Sequence, residues 1–138
     1  MIRKFLIVSC LLFSCIFVNA QKRPYNVVFD LTGNDSTIQK SVLRWVGGIL
    51  KSNPDAKLEV VMYGQGIDLV VKGHAYQPEV IEKLATNSNV SFTVCEIALK
   101  NHNLTKSDLL SGIKTVPDGI YEIVLKQADG WAYIKVAR

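Results

Sequence analysis

The stretch Val90-Ser91-Phe92-Thr93-Val94-Cys95-Glu96-Ile97-Ala98-Leu99-Lys100 decides the fold class. Its first half is β-branched and aromatic, a composition that suits a pleated, buried strand. Its second half favours a short helix, Glu96 to about Asn101. The change falls at Cys95. That residue is therefore read at the C-terminal end of a strand, facing the start of a helix. Ligand crevices in open α/β sheets lie outside such strand ends, and a helix N-terminus favours an anion such as a thiolate.

The same alternation runs through the rest of the chain. Tyr25-Asn26-Val27-Val28-Phe29-Asp30-Leu31 reads as a first strand, mostly apolar as a buried parallel strand should be. Asp35 or Ser36 can cap a following helix, with Gln39 as a capping-box partner of Ser36. Val42, Leu43, Val46, Ile49 and Leu50 recur at helical spacing, and Asn53-Pro54 ends the run. Gly47-Gly48 inside it costs on the order of 1 kcal/mol per glycine, which points to close packing of another backbone. Leu58 to Tyr63 is a second strand, followed by the tight loop Gly64-Gln65-Gly66. Ile67 to Val71 is apolar but too short to assign. Pro78 opens a helix with Val80, Ile81 and Leu84 as its apolar stripe.

Past Cys95, Thr105 and Asp108 have the spacing of a cap. Ile113 to Val116 is a short fourth strand. Pro117-Asp118-Gly119 opens a helix through Gln127, with Ile120, Ile123 and Val124 on one face. Asp129-Gly130 turns the chain into a last strand, Trp131 to Val136. Five strands alternating with helices mean a parallel sheet covered on both faces.

Residues 1–20 read as an export signal. Arg3 and Lys4 form a positive n-region, and Phe5 to Val18 is an apolar stretch of about 14 residues, shorter than the roughly 20 needed to span a membrane. Val18-Asn19-Ala20 precedes the polar Gln21-Lys22-Arg23-Pro24, a pattern that places cleavage after Ala20. Lipidation at Cys10 or Cys15, or an uncleaved anchor, are the other readings of this segment. All of them put the folded residues 21–138 outside the cytoplasm, in the periplasm or secreted, with no membrane span once the signal is cleaved.

Without Arg3 and Lys4, the 16 basic residues of the chain fall to 14, against 12 acidic ones. The excess is small and scattered, so nothing argues for nucleic acid. Of the three cysteines, only Cys95 follows the signal. One cysteine cannot form an internal disulfide. It is either buried and inert, which residue type alone favours, or a thiol that reacts or pairs between chains. His74 and His102 lack metal-ligand spacing and read as surface residues. His102 lies about 10 Å along a helix axis from Cys95, too far for a direct hydrogen bond. Gly64-Gln65-Gly66 is neither a dinucleotide fingerprint nor a Walker loop, but it can line a pocket. Asp30 reads as facing the crevice edge of Cys95, whereas Glu59 reads as facing solvent. The aromatics Trp45, Tyr121, Trp131 and Tyr133 suit a core individually and a subunit interface collectively.

Three segments resemble the DsrE/DsrF-like family. They are Val90 to Leu104 around the cysteine, Val116 to Val124 followed by Gln127-Ala128-Asp129-Gly130-Trp131-Ala132-Tyr133-Ile134-Lys135, and Val60-Val61-Met62-Tyr63-Gly64-Gln65-Gly66-Ile67-Asp68-Leu69-Val70. The resemblance implies a three-layer α/β/α fold with a five-stranded parallel sheet, commonly assembled as trimers or hexamers. Some members relay sulfur through a persulfide on the cysteine that corresponds to Cys95; others have no established activity. Relatives often carry histidine where this chain has Tyr63, and the relay members are cytoplasmic.

The resulting expectation is an exported homo-oligomer that binds or transfers sulfane sulfur on Cys95, a sulfurtransferase-like carrier without a cofactor or metal. Tyr63, Gly64, Gly66 and Glu96 are the expected substrate-binding residues, and the partners are a sulfur donor or acceptor protein or a small thiol. The alternative is a non-catalytic module that binds a small ligand or a protein, with the oligomer as the functional unit.

The mature protein is expected to begin at Gln21, which N-terminal mass analysis of the exported protein reads directly; a lipidated Cys10 or Cys15 would replace this reading with a lipoprotein.

Overall fold

The computed structural model describes residues 24–137, so the signal read at residues 1–20 lies outside the described residues. Five strands form one sheet: β1 Asn26–Leu31, β2 Lys57–Met62, β3 Val90–Cys95, β4 Lys114–Val116 and β5 Ala132–Val136. Their order is β4-β3-β2-β1-β5 and every pairing is parallel. Four helices connect them: α1 Ser36–Ser52, α2 Pro78–Ala85, α3 Glu96–Asn101 and α4 Gly119–Ala128. The apolar stretch after β2 is a 3-10 helix, Gly64–Leu69. The expected three-layer α/β/α fold with a five-stranded parallel sheet is what forms. Among the described residues no helix is long and apolar enough to cross a membrane.

Local chemistry sets the element ends. Asp35, rather than Ser36, caps α1 by accepting a 2.8 Å hydrogen bond from the Thr37 amide. Pro78 occupies the first turn of α2, where its missing N–H costs nothing. Thr105 and Asp108 form a capping box on the short 3-10 turn Lys106–Asp108. Asp118 caps α4, accepting from the amides of Ile120 and Tyr121.

Register makes the two faces of the sheet unlike. Residues paired across parallel strands share a face, and neighbours along a strand alternate. One face carries Phe29, Leu31, Leu58, Val60, Met62, Phe92 and Val94, all buried. Val42, Leu43 and Val46 of α1, Ile81 of α2, and Ile67 and Leu69 close over it as the main core. Each large side chain taken fully out of water there contributes roughly 1.5–3 kcal/mol.

The opposite face carries Val28, Val61, Asp30, Glu59, Thr93 and Cys95. Its apolar cluster is small, Val28, Val61 and Ile123 of α4, with Tyr63 and Trp131 at its margin. Polar groups fill the rest. Glu59, expected at the surface, is buried; it accepts from the Thr93 hydroxyl and pairs with Lys126 of α4 at 2.8 Å. Strand alternation alone misplaced it, because its partner arrives 67 residues later in the chain. Lys126 also meets Glu122 at 3.4 Å and lies over the Trp131 ring. Burial opposes the Lys126 charge, yet these carboxylates outweigh it and hold the ammonium above its usual pKa.

Two further expectations fail. Only Ile123 of the expected α4 stripe is buried; Ile120 and Val124 are exposed. The helix is rotated so that Gly119, Ile123 and Lys126 meet the sheet. Nor do Gly47 and Gly48 pack against a backbone, since a Cβ at either would find no atom within 4 Å. The close approach is instead at Gly66, where a Cβ would clash with the Leu31 carbonyl oxygen and carbon at the end of β1.

These contacts give opposite outcomes for one substitution. Gly66→Ala should destabilise the protein by about 3 kcal/mol through overpacking. Gly47→Ala should stabilise it by about 1 kcal/mol through helix propensity. Urea unfolding of the two variants reads both signs.

Candidate functional site at Cys95

Cys95 ends β3 and is the N-cap of α3. Its backbone is extended and its side chain makes no cap hydrogen bond to the helix, which leaves the sulfur free of that partner. It is a free cysteine, 5% exposed. The start of α4 crosses directly over it. A Cβ on Gly119 would stand 3.0 Å from Cys95 Cβ and 3.3 Å from a methyl of Val61, so only glycine permits this crossing without displacement.

What remains beside the thiol is an open cleft of about 220 Å³. Tyr63 and Gly64 wall it on the β2 side, Ile97, Ala98, Asn101 and His102 on the α3 side, and Asp118 and Ile120 at the start of α4. Among the described residues no lysine or arginine lines it. Gly64 has φ +54°, a left-handed conformation that glycine adopts without strain and that turns the chain sharply after Tyr63. Two strand ends and two helix starts thus supply the cleft, the arrangement expected at the carboxyl edge of a parallel sheet.

Behind Tyr63 lies a polar cluster on the same face. Asp30 is buried near the end of β1. It accepts from the Tyr133 hydroxyl at 2.7 Å and from Lys135 Nζ at 3.0 Å, both from the adjacent β5. Lys135 also donates to the Thr32 hydroxyl and lies 5.6 Å from the Tyr63 ring centre. Burial raises the pKa of the Tyr63 phenol, reinforced by the Asp30 charge and hydrogen bond and, more weakly, by Cys95. The hydrogen bond to Asp30, together with desolvation, pushes Tyr133 to about 12. Both phenols therefore stay protonated at neutral pH and act as O–H groups, not phenolates.

The structure brings Cys95, Tyr63 and Gly64 together at one cleft. It does not bring the other two expected substrate-binding residues there. Gly66 is buried under the end of β1 and supports the loop from below. Glu96 opens α3 without lining the cleft. His102, read as remote from the thiol, caps the C-terminus of the six-residue α3 and lines the cleft. His74 is exposed and meets Asp68 at 3.2 Å. Sequence reasoning missed Asp118, Asn101, Ile97 and Ile120 as cleft residues. Asp118 left a signal, since an Asp just before a helical run is an N-cap signature; the other three left none. Among the described residues no group of three or more His, Cys, Asp or Glu is placed to hold a metal ion.

Solved structures share this architecture. MTH1491 from Methanobacterium thermoautotrophicum, a protein of unknown function, superposes with a TM-score of 0.75 and 27% identity, covering 80% of this chain and 98% of that one. BT1422 from Bacteroides thetaiotaomicron, a conserved protein of unknown function, gives 0.67 at 12% identity over 81% and 95% of the two chains. The ychN protein of E. coli gives 0.66 at 11% identity over 81% and 98%. Among curated proteins none matches this chain. The DsrE/DsrF-like family profile matches residues 26–136, from the first residue of β1 to the last of β5, and the chain belongs to that family.

Proposed function

We propose that this protein is an exported, homo-oligomeric sulfur carrier that holds sulfane sulfur as a persulfide on Cys95. The observation that carries the proposal is the position of the thiol: a free cysteine at a strand end, closed off by Gly119 above and reached through a cleft of about 220 Å³. The Cys95 thiolate attacks the outer sulfur of a donor R–S–SH. A new S–S bond forms, the old one breaks, and R–S⁻ leaves with the electron pair. The proton stays with the Cys95 persulfide or passes to solvent. An acceptor thiolate then takes the outer sulfur, and Cys95 leaves as the thiolate. The exchange is redox-neutral overall.

The residues around the thiol suit this chemistry. Ile97, Ala98 and Ile120 shield the bound sulfur from bulk water. Tyr63 offers a protonated phenol at the wall, and Gly64 leaves room for the donor. Gly66 acts one step back, by fixing the Gly64 turn. Glu96 acts only through its charge at the start of α3.

One observation favours the alternative, a module that binds a small ligand without covalent chemistry: Cys95 is only 5% exposed. Intact mass separates the two readings. After incubation with an organic persulfide, the mature protein should gain one or more sulfur atoms, all removed by dithiothreitol and absent in Cys95→Ser. Absence of any sulfur adduct, with iodoacetamide labelling only in denaturant, would leave Cys95 structural and the carrier proposal rejected.

The homo-oligomer is supported by an apolar surface on α4. Ile120, Tyr121, Val124 and Leu125 are each at least two-fifths exposed, and Ile97 of the cleft is half exposed. Exposed apolar patches of this kind mark interaction sites. A trimer or hexamer is the expected assembly, and light scattering on residues 21–138 reads it. Val124→Lys should lower the mass toward the monomer, whereas a wild-type monomer at micromolar concentration would overturn the proposal.

A further inference from the structure

A second concave site lies on the other face of the sheet, at its β5 edge. It is an apolar groove of about 450 Å³ between α1 and β5. Its floor is Ile134, with the fully buried Phe29 beside it on the same α1 face, and its wall is one stripe of α1: Arg44, Gly48 and Ser52 in one row, with Trp45 and Ile49 beside them. Positions four apart stack along a helix, so the stripe runs continuously along the groove. Trp45 stacks on Phe29 with ring centres 6.3 Å apart, which fixes the indole in the wall. The volume falls within the roughly 300–1,000 Å³ typical of small-molecule sites.

Two independent observations indicate that the groove receives something. The first is Gly48. Glycine is among the worst residues for a helix interior, and here, apart from its chain neighbours and its own helix backbone, no atom of the described residues lies within 4 Å of where its Cβ would stand. No close contact with the described residues requires a missing side chain here, yet its absence deepens the groove at mid-length. The second is Arg44. It stands at the groove, exposed, and makes no hydrogen bond or ion pair among the described residues. A free guanidinium beside an apolar trough complements one planar anion attached to an apolar body, because its donor fork matches a carboxylate in two parallel hydrogen bonds.

We propose that the groove between α1 and β5 binds a small amphiphilic carboxylate, with the apolar body against Trp45, Ile49 and Ile134 over Gly48 and the carboxylate on Arg44. The site is separate from the Cys95 cleft, which opens on the opposite face of the sheet, so it stands or falls independently of the sulfur chemistry.

Decanoate and decan-1-ol are the probes. Trp45 reports binding through its emission in a Trp131→Phe background, and calorimetry on the wild-type protein gives the affinity. Decanoate should bind saturably with a blue shift of Trp45. Arg44→Gln should weaken decanoate roughly tenfold, the loss of one charge-assisted contact, and leave decanol within about twofold. Gly48→Leu should fill the groove and remove both, with helical circular dichroism retained and Tm unchanged or raised. The proposal is overturned if decanoate fails to saturate at millimolar concentration. It is overturned equally if Arg44→Gln weakens both probes alike, or if Gly48→Leu leaves binding intact. Should Gly48→Leu instead change the oligomeric mass while neither probe binds the wild type, the groove is a contact between copies of this chain and the ligand proposal is wrong.

Discussion

The Glu59 carboxylate sits in the middle of β2, buried on the sheet face that α4 covers, and Lys126 descends from α4 to meet it at 2.8 Å. A carboxylate taken from water at that depth is tolerable only when its lone pairs are met. The Thr93 hydroxyl meets one oxygen and Lys126 the other. This requirement fixes the rotation of α4. With Lys126 pointing at the sheet, Ile123 three residues earlier packs on Val28 and Val61, and Gly119 at the helix start falls over Cys95. The four large apolar residues of α4 that remain are turned outward. One buried charge thus determines both how the thiol is covered and which apolar surface is left exposed.

The division of labour between the two sheet faces follows from the same logic. Phe29, Leu31, Leu58, Val60, Met62, Phe92 and Val94 give the α1 and α2 face a dry, deep core. Most of the stability resides there, because buried apolar area is the main favourable term in folding. The α4 face places Asp30, Glu59, Thr93, Tyr63 and Cys95 in adjacent rows. Polar groups there are satisfied pairwise, and no buried side-chain nitrogen or oxygen among the described residues lacks a partner. A face built this way sacrifices hydrophobic burial in exchange for positioned polar atoms, which is where ligand chemistry on a parallel sheet is expected.

Element order and type were legible because they depend on short-range signals. The run Val90 to Val94 ending at Cys95, the Pro78 helix start and the Thr105–Asp108 capping box all lie within a few residues of what they specify. The cleft was half legible: Cys95, Tyr63 and Gly64 follow from strand ends. Its other wall comes from α3 and the start of α4, which no pattern joins to β2. Glu59, Gly47 and Ile120 were misread for one reason. Each was judged by its own element, although its environment is set by a residue distant in sequence or by the absence of any neighbour. Period alone gave α4 the right stripe width but not its rotation, since an apolar face and an ion pair compete to be turned inward.

The geometry at Cys95 also constrains how any donor approaches. Gly119 closes the thiol from above and Val61 lies beside it, so the open direction runs between Tyr63 and α3. Among the described residues no lysine or arginine lines that path, and the Asp118 carboxylate stands in its wall, partly neutralised by the two amides it caps. The nearest fixed cation behind Tyr63, Lys135, is already paired with Asp30. A multiply charged anion would enter this cleft with no compensating charge in a confined, partly apolar space, where an unpaired charge is costly. A neutral persulfide would meet no such penalty, and a singly charged one a smaller penalty. Within the proposed carrier function, the electrostatics of the cleft therefore favour organic persulfides over oxyanionic sulfur donors, and that preference rests on the same polar face that Glu59 organises.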